Sequence, residues 1–255
     1  MHFFECLLKL NNTKNKIVIV GATSGIGYET ALLYIQEGWT VGIAGRRADL
    51  LEKIQKIAPQ HIFIQSMDIT QPDAPEKLMQ LVERMGGMDI YLHSSGIGYQ
   101  NYALDCQTEM QTVETNVAGF TRMATSVFHY FMNQGHGHLA VISSIAGTKG
   151  LGIAPAYSAT KRFQNTYMDA LEQLAYMKKA NIHFTDIRPG FVATALLNNG
   201  KHYPLMMRPQ TVAFSIKKAL EKRKRVVIID WKYQLIVAVW KLIPRLIWKR
   251  LRVKN

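Results

Sequence analysis

Tyr157 and Lys161 stand four residues apart in the run Tyr157-Ser158-Ala159-Thr160-Lys161. On a helix that spacing puts both side chains on one face, one turn apart. A cation beside a phenol stabilises the phenolate and lowers the phenol's pKa, so the tyrosine becomes a usable proton donor or acceptor near neutral pH. By itself Tyr-x-x-x-Lys is a weak signal, because chance matches are common. Here it comes after a serine, Ser144, thirteen residues earlier, and after a glycine-rich turn, Val20-Gly21-Ala22-Thr23-Ser24-Gly25-Ile26-Gly27. The turn follows an apolar run and opens a helical one. At such a place glycines let the backbone approach a pyrophosphate at a helix N-terminus. The spacing is Gly-x-x-x-Gly-x-Gly rather than the commoner Gly-x-Gly-x-x-Gly.

The elements that must position these groups alternate. Short β-branched runs are expected to be strands at Lys16–Val20, Thr40–Ala44, His61–Gln65, Met88–His93, His138–Ser143, Ile182–Ile187 and Arg225–Ile229. Between them lie helical stretches at Gly25–Glu37 (ended by Gly38), Asp49–Ile57, Pro75–Met85, Gln107–Asn133, Tyr157–Lys179 and Gln210–Glu221. Such alternation implies right-handed crossovers and a parallel sheet covered on both faces, an α/β fold. No internal repeat, low-complexity segment or domain linker interrupts the 255 residues, so one domain spanning 1–255 is expected.

The net charge of +13 is uneven. Residues 1–216 hold 18 basic and 16 acidic side chains, whereas 217–255 hold 13 basic and two acidic. An acidic partner would therefore meet the tail. Cys6 and Cys106 form no metal-ligand or redox motif and fit a reducing, cytoplasmic setting. The first ten residues are apolar in part but lack the basic start and small-residue cleavage site of a signal peptide, and they read as a loosely packed or frayed leader. No apolar run is long enough for a membrane span.

Taken in order, these motifs make the chain resemble the short-chain dehydrogenase/reductases of the classical type over roughly residues 14–230. The carriers are Gly21, Gly25 and Gly27; Asp68-Ile69 after the third strand; Asn116; Ser143-Ser144; Tyr157 with Lys161; and Arg188-Pro189-Gly190. The resemblance implies a Rossmann-like, doubly wound fold with a seven-stranded parallel sheet. It also implies hydride transfer between a nicotinamide and a ketone or secondary alcohol. Tyr157 would be the general acid/base, and Lys161 would tune it and bind the nicotinamide ribose. Ser144 would hold the carbonyl oxygen, with Ser143 pointing the other way off the strand. Asn116 would bind a water that relays protons to Lys161. The implied cofactor contacts are Gly21, Thr23, Ser24, Gly25, Ile26, Gly27, Arg46, Arg47, Asp68, Ile69, Gly96, Tyr157, Lys161, Pro189, Gly190, Val192 and Thr194. No catalytic metal is implied. The assembly implied is a homodimer or homotetramer. One departure stands out: the family's Asn-Asn-Ala-Gly appears here as His93-Ser94-Ser95-Gly96.

Charge argues for the form of the cofactor. The second strand ends in Ala44-Gly45-Arg46-Arg47, with two guanidinium groups and no acid. A 2′-phosphate wants a guanidinium, and a ribose diol wants a carboxylate, so NADP(H) is expected over NAD(H). The alternative is that Arg46 and Arg47 are simply a solvated helix start. Asp68 could likewise cap a turn. His136-Gly137-His138 resembles a metal pair but reads as a glycine turn before a strand.

The segments expected around a substrate are Ile97–Tyr102, Ile145–Pro155 and Phe191–Arg208, with Tyr99, Tyr102, Leu151, Ile153, Leu196, Leu197 and Met206 available. They suit a lipophilic carbonyl or alcohol. The extension 231–255 is basic and amphipathic, and Pro244 should divide it into two short helices. Two readings stay open for it: peripheral contact with an anionic membrane, or packing on its own domain or a sister subunit. No recognised nucleic-acid module accompanies the charge, and nucleic acid is not expected. Two rivals to an enzyme are a nucleotide sensor on the same fold and a membrane-surface interaction protein. The full set Asn116, Ser144, Tyr157 and Lys161 argues against the first, since binding alone needs no proton-transfer groups.

Overall fold

The computed structural model describes residues 15–197, 200 and 203–253. The proposed leader and Cys6 lie outside the described residues. Seven strands form one parallel sheet: β1 (Lys16–Val20), β2 (Thr40–Gly45), β3 (Ile62–Ser66), β4 (Ile90–His93), β5 (His136–Ile142), β6 (Asn181–Arg188) and β7 (Val226–Ile228). Their order is β3-β2-β1-β4-β5-β6-β7. The chain therefore reverses its direction of winding between β1 and β4, where Val20 stands level with both Ala44 and His93. In open α/β sheets, ligands bind at the carboxyl ends of the strands beside such a switch point.

The helices are α1 (Gly25–Gln36), α2 (Ala48–Gln55), α3 (Ala74–Met85), α4 (Cys106–Val113), α5 (Phe120–Gln134), α6 (Pro155–Met177), α7 (Pro209–Glu221), α8 (Trp231–Leu242) and α9 (Arg245–Trp248). Alternate residues of each strand feed two cores, because successive strand side chains point to opposite faces. Val18 and Val20 pack with α3, α5 and α6, around Leu78, Phe120 and Met168. Ile17 and Ile19 pack with α1, α2, α7 and α8, around Ala31, Leu51, Ile216 and Val237. Both sheet faces are thus covered, as the strand-helix alternation requires.

Three local differences from the sequence expectations have physical causes. The single long helix expected from Gln107 to Asn133 is α4 and α5 joined by a π-helical turn, Glu114–Gly119. An extra residue per turn swings the Asn116 side chain onto the backbone of Ile97, where its Oδ1 accepts from Ile97 N at 2.9 Å and its Nδ2 donates to Ile97 O at 2.7 Å. His136-Gly137-His138 is not a turn but the start of β5. Its pairing with β6 places His138 Nε2 2.7 Å from Thr185 Oγ1. Helix α6 begins two residues early, at Pro155, which has no N–H to lose there. Its first free amide, Ala156 N, donates to Glu109 Oε2 of α4 at 2.8 Å.

Candidate active site

The carboxyl ends of the strands, the start of α1 and the tail helix α8 surround one cavity of about 710 Å³. Gly21, Thr23, Ser24, Gly25 and Ile26 form one wall, with Arg46, Arg47, Asp68 and Ile69 beyond them. Gly96, Ser144, Tyr157 and Lys161 form the floor, and Pro189, Gly190, Val192 and Thr194 the far side. Two of the sequence-derived residues stand behind the wall. Gly27 supports the turn, and Asn116 is fully buried.

The glycine turn is shaped by contacts that exclude a side chain. Gly21 has φ +92°, and a Cβ there would fall 2.5 Å from Ser95 N. A Cβ on Gly27 would meet the Gly21 carbonyl oxygen at 2.3 Å. The chain doubles back so tightly that the amide end of α1 faces the cavity, a setting for anionic groups. At the end of β2 the two arginines diverge. Arg47 folds onto the turn, donating through Nη2 to Thr23 Oγ1 at 2.6 Å and to Ser24 Oγ at 2.8 Å. Arg46 is exposed and has no ion pair among the described residues. Asp68 does what its turn position allows, accepting from Thr70 N at 3.0 Å, and also lines the cavity. With backbone amides at its turn and a guanidinium and a carboxylate at its edge, this cradle fits a nucleotide cofactor in size and charge.

At the floor, Lys161 Nζ lies 5.8 Å from the centre of the Tyr157 ring. A Cβ on Gly98 would come within 2.4 Å of that ring, so the glycine lets the backbone run directly over it. Lys161 is buried, and burial lowers its pKa to about 8, with the Asp186 charge pulling the other way. Tyr157 differs from the expectation. Burial pushes its phenol above the ordinary value, and the hydrogen bond with Ser144 only partly offsets this. Desolvation of the phenolate is the larger effect here, and the Ser144 hydroxyl works against it.

Behind Lys161 lies a residue the sequence did not single out. Lys161 Nζ donates to Ile142 O and to Gln164 Oε1, both at 3.1 Å. The same amide donates from Nε2 to the Asn116 carbonyl at 3.0 Å. Gln164 thus stands on the line from Asn116 to Lys161 that the family resemblance assigned to a water. Gly96 faces this group, since a Cβ there would meet Asn116 Oδ1 at 3.3 Å and Lys161 Nζ at 3.4 Å. Ser143 borders the cavity, but its hydroxyl turns the other way. Its hydroxyl donates to Asp186, whose Oδ2 also accepts from Asn165 Nδ2 at 2.8 Å and Arg188 Nη2 at 2.6 Å.

Of the residues expected near a substrate, Tyr99, Leu151, Ile153, Leu196 and Leu197 line the cavity. Tyr102 does not, being 88% exposed, and Met206 also faces outward. Asn198, Asn199, Lys201 and His202 of that stretch lie outside the described residues. Tyr233, Ile236 and Trp240 of α8 complete the wall instead. A Cβ on Gly190 would fall 2.1 Å from Tyr233 Cζ, so this glycine is the seat of the tail helix. No local signal marked Tyr233, whose partners lie far away in the chain, and none marked Gln164, because its contact with Asn116 crosses between helices.

Comparison with known proteins agrees with this geometry. An uncharacterized oxidoreductase of Myxococcus xanthus is 28% identical over 234 residues, 89% of this chain and 92% of its own. One from Staphylococcus aureus (strain MRSA252) is 30% identical over 216 residues, 82% of this chain and 92% of its own. Among solved structures, actinorhodin polyketide ketoreductase with NADPH superposes with a TM-score of 0.74 at 22% identity, covering 85% of this chain and 95% of that one. The 3-ketoacyl-(acyl-carrier-protein) reductase from Brucella melitensis, complexed with NADH, gives 0.75 at 20% identity, covering 85% and 96%. The sequence pattern of the short chain dehydrogenases matches residues 15–203. With that match, and with the seven parallel strands in the order described, the chain belongs to the short-chain dehydrogenase/reductase family, oxidoreductases that act on CH–OH and C=O groups with a nicotinamide cofactor.

Proposed function

We propose that the protein is an NADP(H)-dependent reductase of lipophilic ketones, or the corresponding secondary-alcohol dehydrogenase. The observation that carries this reading is the floor of the cavity: Ser144, Tyr157 and Lys161 line it beside largely apolar walls. When bound, the cofactor supplies or accepts the hydride. Gly21, Thr23, Ser24, Gly25, Ile26 and Gly27 would hold its pyrophosphate end, and Arg46 would take a 2′-phosphate. Asp68 and Ile69 would border the adenine end. Gly96, Pro189, Gly190, Val192 and Thr194 would border the nicotinamide end.

Tyr157 gives its phenol proton to the oxygen of the carbonyl as charge develops there, and Ser144 donates a hydrogen bond to the same oxygen. Lys161, in its protonated form, offsets the phenolate that results. The backbone carbonyl of Asn116 holds Gln164 in place behind this group. Thus the residues of this chain orient the carbonyl, exclude water with apolar walls and move one proton. The catalytic core is 14–230, with 231–255 as an extension of the same domain. The protein works in the cytoplasm as a homodimer or homotetramer.

The test is Tyr157→Phe. Turnover of a lipophilic ketone with NADPH should fall by about 100-fold or more, while NADPH quenching of tryptophan fluorescence is nearly unchanged. Retained turnover would remove Tyr157 from the proton-donor role. Retained NADPH binding without any carbonyl substrate in a broad screen would favour the nucleotide-sensor reading.

A further inference from the structure

The tail packs on its own domain and still leaves an apolar face in solvent. Tyr233 and Val237 of α8 are buried, and Trp248 of α9 donates from Nε1 to Gly150 O at 2.8 Å. Lys149 Nζ reaches back to Ile243 O at 2.9 Å. These contacts fix the two helices against the rim of the cavity. On the opposite side, Trp231, Leu235, Val239, Leu242 and Leu246 recur at helical spacing, and all five are at least half exposed, Leu242 by 82%. A soluble helix normally turns such a stripe inward.

The charges around this stripe select an occupant. Lys232, Lys241, Arg245, Lys249, Arg250 and Arg252 are all exposed, and the segment 231–253 contains no acidic residue. None of the six has a carboxylate partner among the described residues. A second copy docking here through a two-fold axis would bring cations against cations, with no acid in the segment to offset them. An anionic bilayer supplies what both features want: phosphates for the cations and an acyl boundary for the tryptophan and leucine side chains. No helix among the described residues is long and apolar enough to cross a membrane, so the contact would be at the surface.

The face is continuous with the mouth of the cavity. Ile236, Trp240 and Val253 line the cavity from the same segment, and Leu196 and Leu205, both lining it, are more than 40% exposed. We infer that the 231–253 face docks on an anionic membrane surface and turns the cavity mouth toward the lipid, so that the ketone or alcohol enters from the bilayer. The membrane half of this inference stands apart from catalysis. The substrate half rests on the ketone-reductase reading above.

The experiment is flotation of the full chain with vesicles of phosphatidylcholine alone and of phosphatidylcholine with phosphatidylglycerol. The protein should float with the anionic vesicles and much less with the neutral ones, and high salt should weaken the contact. Leu235→Asp with Leu242→Asp, both at exposed positions, should cut flotation by about tenfold or more while NADPH binding stays unchanged. Should that pair fail to fold, Lys241→Glu with Arg245→Glu carries the same expectation through charge. Failure of the unaltered chain to float, or flotation indifferent to both pairs, would overturn the membrane contact. So would a dimer by analytical ultracentrifugation that the leucine pair dissociates while no vesicle is bound. For the substrate half, anionic vesicles should speed reduction of a bilayer-dissolved ketone by the unaltered chain and not by the leucine pair. Equal effects on both would overturn entry from the bilayer and leave the reductase reading standing.

Discussion

Lys161 and Gln164 are joined within the same helix by a 3.1 Å hydrogen bond, and the amide of Gln164 passes the connection on to the Asn116 carbonyl at 3.0 Å. All three residues are buried. Burial lowers the Lys161 ammonium to about 8, within reach of ordinary changes of pH. The Gln164 oxygen, which accepts from that charge, is one of the groups that retain it.

Replacing Gln164 by Leu should therefore lower the pKa of Lys161 further. The sign follows from the acceptor: without it the charged form loses a hydrogen bond and the neutral form loses little. In the mechanism proposed above Lys161 acts protonated during reduction, so kcat/KM for NADPH should fall as pH rises through about 8 in the unaltered enzyme. In Gln164→Leu that limb should move down by about one pH unit. A limb that stays in place would show that Gln164 only fills space.

Arg46 and Arg47 should not be equivalent. Arg47 is spent on Thr23 and Ser24, and Arg46 is free of ion pairs among the described residues. Arg46→Ala should weaken NADPH binding by about 10- to 100-fold and leave NADH within about threefold, as expected for a lost charged hydrogen bond. Arg47→Ala should weaken both cofactors together by loosening the turn. Fluorescence titration of the two variants with both cofactors decides it, and equal loss of NADPH and NADH in Arg46→Ala would place the phosphate elsewhere.

Gly21→Ala should be costly even though it adds one carbon. The position has φ +92°, and the new Cβ would meet the backbone nitrogen of Ser95 at 2.5 Å, a neighbour that cannot swing aside. A loss of about 1–3 kcal/mol in denaturant unfolding is expected, together with loss of NADPH binding. Unchanged stability would mean the turn is softer than its contacts imply.

The seat of the tail helix offers a different kind of test. The Tyr233 ring lies over Gly190, and its hydroxyl accepts from Phe191 N at 3.1 Å, so the ring is held from moving away. Gly190→Ala should lower stability by about 1–3 kcal/mol through overpacking. Combined with Tyr233→Ala, it should add little to the loss caused by Tyr233→Ala alone. Additive losses would show that the two residues are not in conflict.

Much of the fold and part of the site were legible in the chain. Short continuous β-branched runs such as Lys16–Val20 and the helical stretch through Tyr157 and Lys161 encode their own secondary structure, because residue preference, run length and helical periodicity are local. The β5 boundary shows where that ends. His136-Gly137-His138 carries turn residues, yet pairing with β6 draws it into the sheet. Likewise, a uniform helical pattern at Glu114–Gly119 does not reveal the π turn that aims Asn116.

The sequence by itself determined the alternation of strands and helices, the glycine turn and the alignment of Tyr157 with Lys161, since each depends on residues a few positions apart. Only the tertiary structure decided that Gln164 bridges Asn116 and Lys161, that Arg47 and not Arg46 is consumed by the turn, and that Tyr233 closes the cavity over Gly190. It also decided which face of 231–253 is spent on the domain and which is left in solvent. Those outcomes depend on how elements far apart in sequence cross and pack, and a helix's own periodicity names its faces without saying what each will meet.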